Sequence, residues 1–303
     1  MSKSKFCLIV LISLAQAGCS AWLERRAVQS TVGLIGRTRA AMAQESDIEM
    51  VREATPGGIK TLEGFYLVDP GNRALVALLA ESYCQFAAGF LQDDWEAALF
   101  AGDAAQAEAV RARARVHLAR CVSYGVRLLG RDWQATIYAQ PDGLVALAQA
   151  AKRRHVAGMF WVALGLGTMI GMDPMDPGVN TYLPAVLAML ERVIALDEAH
   201  QNGLALMTLA IILSSQSAAV GGDPDRGKAL FERARALAGG KALMLDVMMA
   251  RTHAVTTRDR AAFHALLGRV LQTPASIWPE QRLANELAQR KARRYLAHEA
   301  RFF

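Results

Sequence analysis

Proline is scarce in this chain, with 9 residues in 303, and the motifs of several enzyme classes are missing altogether. There is no GxSxG elbow and no HExxH pair. The glycine pairs Gly57-Gly58 and Gly221-Gly222 lack the GK[ST] of a phosphate loop. These absences argue against a hydrolase, a zinc protease and a nucleoside triphosphatase, and the glycine pairs read as turns. The histidines are scattered at positions 117, 155, 200, 253, 264 and 298, so they form no compact ligand set with the cysteines, and neither a metal nor a cofactor is expected. Asp93-Asp94 and Asp173/Asp176 sit beside aromatic and proline residues, which suits helix boundaries better than acid–base chemistry. The net charge of +6 is mild and includes Lys3 and Lys5, and nucleic-acid recognition would need a concentrated basic surface. The one basic cluster, Arg290, Lys291, Arg293 and Arg294 with Arg282, reads as the solvated face of a terminal helix.

What is present points to helix. Hydrophobic residues make up 53% of the chain, enough for a substantial core, and its Ala-, Leu-, Met- and Arg-rich windows favour helix by propensity and by pattern. The start differs in kind: basic residues 3 and 5 precede the apolar run 6–15, which is far below the roughly 20 residues of a bilayer span. Gln16-Ala17-Gly18-Cys19 then resembles a lipoprotein processing site, with Gln16 where such signals carry Leu, Val or Ile. The expected organisation is a signal peptide over 1–18 and one helical domain over 19–303, with lipid on Cys19. The alternatives are ordinary secretion and a retained apolar N-terminus. Ser20 in place of Asp resembles the outer-membrane sorting pattern, which would leave the protein facing the periplasm. Cys84 and Cys121 remain, and their apolar helical settings without CxxC spacing read as separately buried thiols rather than a disulfide.

Patterning predicts helices over 23–44, 59–68, 73–91, 104–129, 143–153 and 156–169, with a break at Pro56-Gly57-Gly58. The uncharged stretch 156–172 reads as a buried central helix, in which Gly158, Gly165 and Gly167 permit close helix approach. Downstream, Leu190-Glu191-Arg192 recurs as Phe231-Glu232-Arg233 after 41 residues and as Leu267-Gly268-Arg269 after another 36. This is near the roughly 34-residue tetratricopeptide period, and helices over 204–216 and 242–253 supply the other half of each hairpin. The expected fold class is all-α: stacked helical hairpins with degenerate tetratricopeptide-like repeats in a compact superhelical array, with a concave face or a central channel. Aromatic residues are the remaining ligand candidates: Trp161, Tyr182 and Trp133 flank the central helices, and Trp278 introduces the last one.

The chain resembles the T-component (TatT) family of tripartite ATP-independent periplasmic (TRAP) transporters. The resemblance lies in Pro56-Gly57-Gly58-Ile59 with Leu67-Val68-Asp69-Pro70-Gly71-Asn72, Phe160-Trp161 before Ile170, Met189-Leu190-Glu191-Arg192-Val193-Ile194-Ala195-Leu196-Asp197, Gly221-Gly222-Asp223-Pro224 with Phe231-Glu232-Arg233-Ala234, and Pro279-Glu280-Gln281-Arg282-Leu283-Ala284-Asn285-Glu286-Leu287-Ala288. It implies a non-enzymatic periplasmic lipoprotein that associates with the solute-binding P-component and helps to handle a small organic, even hydrophobic, solute. Packing or partner contact is expected for Trp278, Asn285 and Arg282, with Arg282 and Glu286 spaced for a surface ion pair. The competing function is an envelope assembly protein that holds another protein in the same concave face, and self-association is left open.

Overall fold

The computed structural model describes residues 3–139 and 141–303, with side chains from Leu23 onward apart from Val220. The processing site and the lipidation expected at Cys19 therefore lie outside the described side chains. The first helix, α1 (Lys3–Gln44), runs unbroken. Thereafter Asp and Asn caps set several helix starts by accepting otherwise orphaned backbone N–H groups. Asp47 accepts from Glu49 and Met50 to open α2 (Ile48–Val68), and Asn72 accepts from Leu75 to open α3 (Arg73–Gln85). A π turn over Phe86–Leu91 leads into α4 (Gln92–Ala101), which ends on left-handed Gly102 at φ +78°. Asp103 then caps α5 (Ala104–Leu129). The series continues with α6 (Arg131–Ala139), α7 (Gly143–Ala150), α8 (Val156–Met172), the short α9 (Pro177–Asn180), α10 (Leu183–Asp197) and α11 (Leu204–Ser214). It closes with α12 (Pro224–Leu237), α13 (Leu243–Met249), α14 (Arg260–Gln272) and α15 (Arg282–Ala297). No strand occurs among the described residues, and the fold is all-α.

Pro56-Gly57-Gly58 does not break the chain as expected, because α2 passes straight through it. Proline forfeits one backbone hydrogen bond in a helix interior. Here the Asp47 cap starts the helix a full two turns earlier, and Val51, Ile59 and Leu62 bury one shared face across the interruption.

The helices stack in chain order. α2 lies on α3, α3 and α4 on α5, α5 on α8, α8 on α10, α10 on α11, α11 on α12, and α13 and α14 on α15. α15 then returns to α1 and α2, so the last helix meets the first ones. Segments around α3–α4, α8 and α9–α10 are long and apolar enough to cross a membrane, but 67% of the apolar window of α8 is buried inside the protein. Its contact with α5 is close. A Cβ on Gly158 would come within 2.7 Å of Leu129, and one on Gly165 within 2.8 Å of Val122. Gly167 meets nothing nearer than 3.6 Å, so of the three expected glycines only Gly158 and Gly165 are required there.

Cys84 and Cys121 form a disulfide between α3 and α5, with their Cα atoms 5.2 Å apart, which corrects the expectation of separate thiols. Helical patterning of each segment alone cannot show that α3 packs directly on α5. Closing a loop with a sequence separation of 37 stabilises the fold by about 2–4 kcal/mol.

The three similar segments around Leu190, Phe231 and Leu267 fall on α10, α12 and α14, and each of these residues is fully buried. The arginine two positions on reaches back to an earlier element each time. Arg192 donates to the Ala151 carbonyl at 2.7 Å, while Arg233 pairs with Glu198 and Arg269 with Asp246.

Candidate functional site

Within the basic cluster of α15, Arg290, Lys291 and Arg294 turn to acids of α4 rather than to solvent, while Arg293 is exposed as expected. Arg294 donates to Asp93 at 2.7 Å and to Glu96 at 2.9 Å; Lys291 lies 2.7 Å from Glu96, and Arg290 lies 3.1 Å from Asp93. The Tyr295 hydroxyl donates to Glu96 at 2.6 Å. Asp93 is only 2% exposed. Burial pushes its carboxyl up, but Lys291, Arg294 and Arg290 outweigh burial and leave it below its ordinary value. These charges close the stack onto itself, which no local pattern announces because the partners stand about 200 positions apart.

The expected contacts on this last helix have definite places. Asn285 is buried and accepts from Leu243 N–H at 3.0 Å while donating to the Lys241 and Ala275 carbonyls. It thereby joins the start of α13 to the segment after α14. Arg282 donates to Glu286 at 3.2 Å, and Trp278 packs half-buried against the core. Trp161 is 1% exposed beside Phe160, and Trp133 is 4% exposed on α6. The Tyr182 hydroxyl donates to the Ile137 carbonyl at 2.8 Å, which brings it to the helix of Trp133 and not to Trp161.

The arginines of α5 are segregated by face. Arg111 pairs with Asp173 at 2.8 Å and with Glu108, and Arg115 pairs with Asp176 at 2.7 Å. Together with Met169 and Met172 they line a depression of about 130 Å³. Arg113, Arg120 and Arg127 recur every seventh residue and face α2, α3 and the π turn instead. Arg113 lies over Phe86 at 5.7 Å, Arg120 over Tyr83 at 5.5 Å, and Arg127 over both Tyr66 and Tyr124 at 5.4 and 5.3 Å. Tyr83 is buried and donates to Glu63 at 2.6 Å, and burial with that bond pushes its hydroxyl up to about 12. His117 stacks on Tyr83 and lies edge-on to Phe86. Burial, then Arg113, Arg120 and Lys60, hold its imidazole below the ordinary value. The stripe ends at a second depression of about 460 Å³, bounded by Tyr66, Arg73, Val76, Arg127, Leu128 and Gln134. The seven-residue spacing of arginines 113, 120 and 127 is the one sequence signal that would have revealed this face.

The family model of the TRAP transporter T-component matches residues 44–303, which is the whole helical stack from the end of α1 onward. The chain belongs to the TRAP transporter T-component family. This is a family of transporter accessory subunits rather than enzymes, and membership implies association with a TRAP transport system and a periplasmic or membrane-associated location. The chain is also similar to an uncharacterized protein of Treponema pallidum (strain Nichols), at 23% identity over 272 residues, covering 86% of this chain and 81% of the relative. No group of three or more potential metal ligands comes together among the described residues.

Proposed function

We propose that this T-component is a periplasmic scaffold, held at the outer membrane by lipid on Cys19, that associates with the solute-binding P-component and accommodates a small organic, hydrophobic solute inside its helical stack or at the receptor junction. The observation that carries this reading is the family match across the entire stack. The geometry is compatible with a holding role. The stack is closed by its own last helix, and Arg192, Arg233 and Arg269 each tie their helix to an earlier element. α1 supplies a tether: from Cys19 to Gln44 it spans about 38 Å at ~1.5 Å per residue, and it packs on α15 and α2.

The test is co-purification of the full-length protein with the P-component from the same genome, under native conditions. Stable co-elution supports the scaffold reading. Failure of the pair to associate, while the protein retains a helical far-UV spectrum, would reject it in favour of an envelope assembly role. Replacement of Cys19 by Ser should release the protein from the membrane fraction. If Cys19→Ser stays membrane-bound, the lipid anchor is wrong.

A further inference from the structure

The geometry points to a binding site for a small organic carboxylate with an apolar body in the surface depression between Arg73 and Arg127. This site is separate from any solute space inside the stack and requires no transport partner.

The volume of about 460 Å³ falls within the range of small-molecule sites, whereas the depression beside Arg111 and Arg115, at about 130 Å³, does not. The two also differ in charge. Arg111 and Arg115 are already neutralised by Asp173, Glu108 and Asp176. Among the described residues, neither Arg73 nor Arg127 has a carboxylate partner, although both guanidinium groups are held in place. Arg73 donates to the Leu128 carbonyl at 2.9 Å, and Arg127 donates to the Tyr66 hydroxyl while lying over two tyrosine rings. A guanidinium carries five N–H donors, so each retains free donors in an orientation already fixed, which lowers the entropy cost of gripping an anion. The nearest acid in sequence, Asp69, accepts from Asn72 at 3.3 Å and does not line the depression.

The rest of the wall sets the remainder of the ligand. Val76 and Leu128 are buried and form an apolar floor, and Tyr66 adds a ring. Gln134 contributes an amide from α6. A carboxylate on the guanidinium groups with an apolar body on Val76, Leu128 and Tyr66 uses both the cations and the apolar floor, whereas a bare inorganic anion would leave the floor wet. The field on this flank has the right sign: burial, then Arg154, Arg73 and Lys152, hold His155 below its ordinary value.

The full-length protein in detergent micelles would be titrated calorimetrically with benzoate and with hexanoate. Benzyl alcohol supplies the body without the charge, and inorganic phosphate supplies the charge without the body. Saturable binding of at least one acid is expected, with both controls at least tenfold weaker. Arg127→Gln and Arg73→Gln should each weaken it at least tenfold with an unchanged far-UV spectrum, while Arg115→Gln, at the neutralised depression, should bind as the parent does. The proposal is overturned if neither acid saturates, if phosphate binds as tightly, or if Arg73→Gln, on the exposed rim, retains parental affinity. Equal loss in Arg115→Gln would also overturn it, by showing a response to overall charge.

Discussion

Arginine does opposite work at the seam between α4 and α15 and in the groove between α2 and α5. At the seam, Lys291 and Arg294 meet Asp93 and Glu96 at largely buried positions and the half-exposed Arg290 joins them at Asp93, so both acids are matched. In the groove, Arg113, Arg120 and Arg127 lie on aromatic rings, and Glu63 is the acid that faces the rings from α2. The groove region is joined by the Cys84–Cys121 disulfide, and at its end Arg127 lies on tyrosines rather than against a carboxylate, open to an outside anion. Similar residue composition therefore gives closure in one place and a receptive surface in the other, and what separates them is the burial and supply of carboxylates.

Removing one cation from the seam should have the largest effect. Arg294→Ala leaves Asp93 and Glu96 short of a partner at buried positions and should cost about 3–5 kcal/mol in urea unfolding. A loss below about 1 kcal/mol would make the seam equivalent to an exposed ion pair. The Cys84→Ala/Cys121→Ala double variant should lose about 2–4 kcal/mol, with no loss of the α4–α15 contact by hydrogen exchange. Acid should act on the seam, since the Asp93 carboxyl is depressed in the fold. Its contribution is fully present above the ordinary value of 3.8 and is lost as pH falls through the lower folded value. Unfolding midpoints should thus drop steeply below about pH 4, and the drop should be smaller in Asp93→Asn. The smallest effect is expected in the groove, where Arg120→Ala gives up a stacked cation at a cost of about 1 kcal/mol. A larger loss there would mean that the groove too is structural.

Much of the stack was legible because its punctuation is local. The span of α5 follows from short-range chemistry, and so does the burial of Gly158 and Gly165 in an uncharged helix. Pro56 misled because its local cost is real and the compensation comes from tertiary burial of Val51, Ile59 and Leu62. The disulfide and the acid partners of α15 were hidden for the same reason: each depends on which distant helices meet. The aromatic ligand candidates stand out by residue type, whereas the groove is distinguished by the spacing of its arginines and by tyrosines in place of a carboxylate at Arg127.

The seam has a further consequence for the order of events during synthesis. Arg294 and Asp93 are separated by 201 residues, so a chain emerging from its N-terminus presents Asp93 and Glu96 long before their counter-charges exist. α2 to α5 can associate early, but the acids of α4 must stay hydrated until α15 arrives. The last helix is in this sense a latch that engages only on a finished chain, and a product cut short before Arg282 would expose α4 as an acidic, unclosed edge for quality-control proteases to recognise.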